Sequence, residues 1–160
     1  MNPQPDTFLA FIDDLAADLD DHDSSAQERA GRHFLSRSHF DRVISATAGE
    51  PPAAFRRRVL LERSAFRLAT TTDGVLRVAV DAGYGSNEAF TRAFQRAYGV
   101  SPSTWRAQPT RIQIASPNDV HFHPPGGLRL PATSEDTTMN LLVKMVEHHL
   151  WLVGEMVDRA

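Results

Sequence analysis

VAVDAGYGSNEAFTRAFQRAYGVSPSTWR, residues Val78 to Arg106, is the stretch from which the fold is read. Val78, Ala79 and Ala82 give a short apolar helical face, and Gly83-Tyr84-Gly85 breaks it with glycines that tolerate positive φ. Ser86 supplies a hydroxyl to cap a new helix, Glu88 suits its positive end, and Phe90, Ala93, Phe94 and Ala97 recur at helical spacing. That stripe faces inward. Left outward are Asn87, Glu88, Ala89, Arg92 and Arg96, a polar set able to reach base edges and phosphates from the first turns of a helix. Gly99 stops this helix, and Ser101-Pro102 starts another with a cap and an N1 proline that carries Trp105 back toward the core. The stretch predicts a helix-turn-helix followed by a locking helix.

The same pattern occurs fifty residues earlier. Ser36, Phe40, Arg42, Ile44, Gly49, Pro52, Phe55 and Arg56 correspond in order to Ser86, Phe90, Arg92, Phe94, Gly99, Pro102, Trp105 and Arg106. Eight matches at one offset indicate a duplicated module. In each copy an Arg follows the cap by six residues, an aromatic residue buries two before it, and a Gly and a Pro set where one helix ends and the next begins. In the first copy the outward side is Arg37, Ser38, Asp41, Arg42 and Ser45 over a buried side of Phe40, Val43 and Ile44, while His39 packs or bonds locally. Two such helices held by a rigid linker helix can enter successive major-groove segments, ~34 Å apart, without a dimer.

A chain of 160 residues with 41% apolar content holds one compact domain or two small helical ones. Cysteine is absent, so disulfides and cysteine metal sites are excluded. No signal peptide and no apolar run of membrane-spanning length is present, and a cytoplasmic location is the default. The net charge of −3 is unevenly spread. Residues 1 to 23 hold seven Asp and no Lys or Arg, residues 24 to 108 hold thirteen Arg against seven acids, and residues 109 to 160 hold four bases and six acids. The basic block thus coincides with the duplicated module, which is where a polyanion would bind.

Around this module the chain reads as follows. Phe8, Phe11, Ile12, Leu15 and Leu19 line one face of a leading helix, with Asp13, Asp14, Asp18 and Asp20 opposite as a solvated face rather than a cation site. Ser25 and Glu28 form a capping-box pattern for a short helix, and residues 31 to 35 make its turn into the first recognition helix. A long helix from about Ala53 to Ala69 connects the halves, with Phe55, Val59, Leu60, Phe66 and Leu68 as candidate core. Its Arg56, Arg57 and Arg58 are consecutive and point in different directions, so at most one or two meet the same backbone. Residues 109 to 138, rich in Pro, Ser, Thr and Gly, read as a linker or extended arm in which His121-Phe122-His123 is an ordinary loop, too sparse for a metal clip. A last helix over residues 139 to 160 has an apolar face of Leu142, Met145, Val146, Leu150, Val153, Met156 and Val157. It is open whether that face docks on the domain, pairs with another copy as a homodimer, or begins a truncated sensor domain.

These residues resemble the DNA-binding domain of AraC/XylS-type transcription regulators over about residues 8 to 108. The resemblance lies in Ala79-Val80-Asp81-Ala82-Gly83-Tyr84-Gly85-Ser86, Phe90-Thr91-Arg92-Ala93-Phe94 and Gly99-Val100-Ser101-Pro102, and more loosely in Ser36 to Ile44 with Arg58-Val59-Leu60-Leu61-Glu62-Arg63. It implies an all-α fold of seven helices in two helix-turn-helix subdomains, and DNA-facing roles for Ser38, Arg42, Asn87, Glu88, Ala89 and Arg92. Asp41 departs from what suits DNA, and Ala89 offers only a methyl contact. Met145 to Trp151 weakly resembles the first helix of DinB-like bundles, with His148 at a metal-ligand position. Only the adjacent His149 follows, so three ligands are not assembled from this helix and neither metal nor cofactor is expected. The implied chain is a shortened form or relic of a longer regulator whose sensor followed the linker.

Function follows as sequence-specific binding of double-stranded DNA by a transcription regulator, with RNA polymerase as a further partner and no membrane. The DNA-binding set is Arg37, Ser38, Arg42, Asn87, Glu88, Ala89, Arg92 and Arg96, in which Arg92 is the prime base reader unless it pairs with Glu88 on the helix surface. The alternative is a helical protein-interaction module that uses the acidic leading helix and the apolar final one. Enzyme motifs are missing: Gly83-Tyr84-Gly85 lacks the third glycine and preceding strand of a nucleotide loop, and neither Gly-x-Ser-x-Gly nor His-Glu-x-x-His occurs.

Overall fold

A computed structural model describes residues 3–19, 26–32, 35–124 and 127–130. The Ser25 cap, the middle of the first turn at residues 33–34, and the expected final helix with His148 lie outside the described residues. Among the described residues, seven helices occur in the order α1 (Pro3–Ala17), α2 (Ala26–Arg32), α3 (Arg37–Ala48), α4 (Pro52–Thr70), α5 (Val75–Asp81), α6 (Asn87–Tyr98) and α7 (Pro102–Ala107), followed by β1 (His121–His123) and β2 (Gly127–Arg129). The helical expectation holds, with one small sheet added.

α4 is the axis of the fold. Pro52 opens it at a position where a missing N–H costs nothing, and Phe55, Val59, Leu60, Leu61, Ala65 and Leu68 are buried along it. On the first-half side, Phe55 meets Phe11 of α1 edge-on at 5.5 Å between ring centres, and Phe11 meets Phe40 of α3 at 5.8 Å. The apolar side of α1 is therefore spent on the core, which leaves the interaction-module alternative only its acidic side there. In the second half, Trp105 of α7 donates its Nε1–H to the Ala65 carbonyl at 3.2 Å and packs against Phe94 and Tyr98 of α6.

Residues 109 to 120 adopt neither helix nor strand, as an extended arm would, yet they lie on the core. Val120 and Phe122 are buried, and the ring of Phe122 rests 5.9 Å from that of Phe66. The His121-Phe122-His123 stretch, expected as an ordinary loop, is instead a strand paired antiparallel with Gly127–Arg129, Phe122 opposite Leu128. Its cause is tertiary. Glu62, fully buried in α4, accepts from the Phe122 N–H at 2.8 Å and lies 2.9 Å from His121 Nδ1, so the extended backbone is fixed by a carboxylate sixty positions away.

Candidate nucleic-acid interface

The two proposed recognition helices are built by the same local chemistry. Ser36 is extended (φ −68°, ψ 150°) and its hydroxyl accepts from the His39 N–H at 3.4 Å, while Ser86 does the same for the Ala89 N–H at 3.1 Å. Both helices run twelve residues and end on glycines in the left-handed region, Gly49 at φ 71° and Gly99 at φ 77°. Phe40, Val43 and Ile44 are buried under α3, and Phe90, Ala93 and Phe94 under α6. The duplicated pattern is thus reproduced at the level of caps, core residues and stops.

Opposite these cores stand the predicted contact residues. Arg37, Ser38, Arg42, Asn87, Glu88, Arg92 and Arg96 are exposed, and Ala89 is half-buried. At an offset of fifty, Arg37 matches Asn87, Ser38 matches Glu88, and Arg42 matches Arg92. Arg37 has an exposed carboxylate neighbour, Asp41, at 3.8 Å, a separation and setting that hold it weakly. Among the described residues, Glu88 and Arg92 form no ion pair, so the surface pairing that competed with base reading is not made.

Two clefts that share Ala53 lie beside α3 and beside the turn before α6. The outward side of α3, with Arg37, Ser38, Asp41, Arg42 and Ser45, forms a cleft with Pro51, Pro52 and Ala53 at the start of α4. Ala53 also borders a second cleft, completed by Arg56, Arg57 and Leu60 of α4 and by the Ala82-Gly83-Tyr84 turn that leads into α6. Tyr84 packs edge-on against Phe90 at 5.4 Å. Burial pushes the Tyr84 hydroxyl above its ordinary pKa, and the charges of Arg57 and Arg96 work against that rise, so cations from α4 and α6 flank the same ring.

The three consecutive arginines separate as expected of adjacent helix positions. Arg58 is buried and bonded to Glu50 through Nη2 at 2.7 Å, and Arg56 donates to the Asp18 carbonyl at 3.3 Å. Arg57 is the exposed member, on the second cleft. The contact set did not single it out. A signal was present, because Phe55 and Val59 mark an inward face of α4 at i, i+4 spacing and Arg57 falls away from it. Other arginines of the basic block are clips: Arg63 donates to the Asp81 carbonyl at 2.6 Å, Arg67 bonds Asp73 and Asp81, and Arg106 bonds the Leu68 and Asp73 carbonyls. The charge available to a polyanion is therefore smaller than the count of thirteen suggests.

Residues 30–108 match the family described as a helix-turn-helix domain. The HTH-type transcriptional regulator Rv1931c of Mycobacterium tuberculosis is 37% identical over 79 residues, which are 49% of this chain and 30% of that protein. In fold, the chain is similar to the DNA-binding domain of AdpA, a global transcriptional factor solved in complex with a target DNA (TM-score 0.54, 24% identity, 67% of this chain and 92% of that one). It is likewise similar to a transcriptional regulator with an AraC-type DNA-binding domain from Chromobacterium violaceum (TM-score 0.59, 18% identity, 66% and 96%). The chain spans less than a third of the length of the curated relatives it matches. No helix among the described residues is long and apolar enough to cross a membrane.

Proposed function

We propose that this chain, whose residues 30–108 match the family described as a helix-turn-helix domain, is a regulator of the AraC/XylS type that binds double-stranded DNA in a sequence-specific way and regulates transcription. The observation that carries this reading is the repetition of one exposed polar edge on two capped helices, α3 and α6, with exposed Arg57 on a cleft of α4 beside the turn into α6. Arg42, Asn87, Glu88 and Arg92 read bases, Ser38 and Ala89 contribute short contacts, and Arg37, Arg57 and Arg96 meet phosphates. Arg92 is assigned the largest share of discrimination, since a bidentate pair with guanine is worth ~1 to 3 kcal/mol. RNA polymerase is the protein partner in a cytoplasmic setting, and residues 139 to 160 serve pairing between copies.

Selection of bound sites from a random duplex pool, followed by titration of variants, tests the reading. Arg92→Ala weakens the selected site far more than random DNA, whereas Arg37→Ala and Arg57→Ala weaken both alike and each reduce the salt slope by about 1. Equal losses on both duplexes for Arg92→Ala would overturn the assignment of base reading. Binding that is insensitive to salt would overturn the DNA reading and favour an apolar protein contact.

A further inference from the structure

The segment after α7 touches the far ends of both recognition helices. At its start, the Tyr98 hydroxyl, near the end of α6, donates to the Ile112 carbonyl at 2.6 Å. In the middle, the Ile114 N–H donates to Glu62 Oε1 of α4 at 2.9 Å. Farther on, Asn118 donates its Nδ2–H to the Ala48 carbonyl, the last residue of α3, at 2.8 Å and to Glu50 at 3.0 Å. Pro117 presses on the α3 stop itself, since a Cβ at Gly49 would lie 2.9 Å from its Cβ. Arg58 then holds the Val120 carbonyl at 2.8 Å, and Glu62 takes the Phe122 N–H.

These contacts tie down a short piece of chain. From Ile112 to Asn118 it can span at most about 20 Å, and it is bonded at both ends and between them. α3 packs against α1, α2 and α4, and α6 against α5 and α7, so the halves share α4 as their common support. One helix leaves each half free to rock about it, and a second connection across both removes that freedom. We propose that residues 112–122 are a strap that sets the mutual orientation of α3 and α6, with Asn118, Tyr98 and Glu62 as its positioning residues. In DNA terms, which rest on the function proposed above, the strap sets the separation of the two base segments that are read. It does so without touching DNA.

The chain has no cysteine, so the orientation is directly measurable. Spin labels on Ala46→Cys and Gln95→Cys, both at exposed positions of the full chain, report the α3 to α6 distance by pulsed electron resonance. Adding Asn118→Ala, or the milder Tyr98→Phe, makes the distance distribution about twofold broader, as when one of two connections between rigid bodies is cut. Val78→Ala, a cavity in the second-half core, lowers Tm without broadening it. Unchanged widths in both strap variants, or equal broadening in Val78→Ala at matched Tm, would overturn the strap. On duplexes carrying the selected half-sites, inserting one base pair between them costs the unmodified chain about tenfold in affinity and Asn118→Ala about threefold, with single half-site binding unchanged. A uniform affinity loss at every spacing also counts against it. If the unmodified chain binds no DNA, the functional reading fails while the distance measurement still decides the strap.

Discussion

The two halves share one local plan and differ in what surrounds it. α3 is overlaid by α1, and its stop lies under Pro117, whereas α6 is enclosed by its own neighbours α5 and α7 and its stop at Gly99 faces open space. The second half closes onto α4 through α7, where Trp105 bonds the Ala65 carbonyl. The first depends on chain that arrives from α1 and from beyond residue 111. A duplicated sequence pattern thus produces equal caps and equal exposed edges, while the support behind each copy is built independently.

Equivalent substitutions at fifty-residue offsets expose the difference. The largest losses belong to the pair of fully buried aromatics that brace the halves. Phe55→Ala and Trp105→Ala each cost ~3 to 5 kcal/mol in urea unfolding, the tryptophan variant the more because its bond to Ala65 also goes. Next come the helix stops. Gly99→Ala costs ~1 to 2 kcal/mol for its left-handed backbone alone, and Gly49→Ala adds ~1 to 3 kcal/mol of overpacking against Pro117. Equal losses at the two glycines would mean that Pro117 does not bear on α3. Smaller effects separate the caps: Ser86→Ala costs ~1 kcal/mol and Ser36→Ala about half of that, in line with hydrogen bonds of 3.1 and 3.4 Å.

Acid sharpens the contrast in another way. Hydrogen bonds from Arg67 hold the carboxyls of Asp73 and Asp81 below their ordinary pKa, tying the end of α4 to the loop before α5 and to α5 itself. Because these folded-state values are depressed, the stabilisation is complete above the ordinary carboxylate pKa of ~4 and is lost as pH falls through and below it. Arg67→Met flattens that acid slope, and amide exchange locates the loss in α5 rather than in α2. The smallest expected change is Asp41→Asn. With Arg37 relieved of its exposed partner at 3.8 Å, affinity for DNA rises by at most about fivefold, read by titration at low salt.

Much of the candidate interface is legible in the sequence. Ser36, Ser86, Gly49, Gly99, Pro52 and Pro102 act on backbone groups within a few residues, so their meaning is carried by local spacing. The outward positions of Arg42 and Arg92 followed once Phe40, Ile44, Phe90 and Phe94 were assigned inward. Arg58 and Glu62 were not legible as buried groups. In a run such as Arg56-Arg57-Arg58-Val59-Leu60-Leu61-Glu62-Arg63 they look like the solvated side of a helix, yet Glu62 has no exposed surface. Apart from Glu50 and their own pairing, their partners are Val120, Ile114, His121 and Phe122, more than fifty positions away. No periodicity spans that distance.

Sequence alone settled the helices from α3 to α7, the caps and stops of α3 and α6, the duplication and which edge of each of these two helices meets solvent, because each depends on interactions within a turn or two of chain. Tertiary structure alone decided that residues 112 to 123 pack as a strap and a strand, that several arginines are internal clips, and that the two edges are held by more than α4. Those outcomes turn on buried charges and carbonyls finding partners across the fold, where a hydrogen bond gains strength by exclusion of water and an unpaired group is costly.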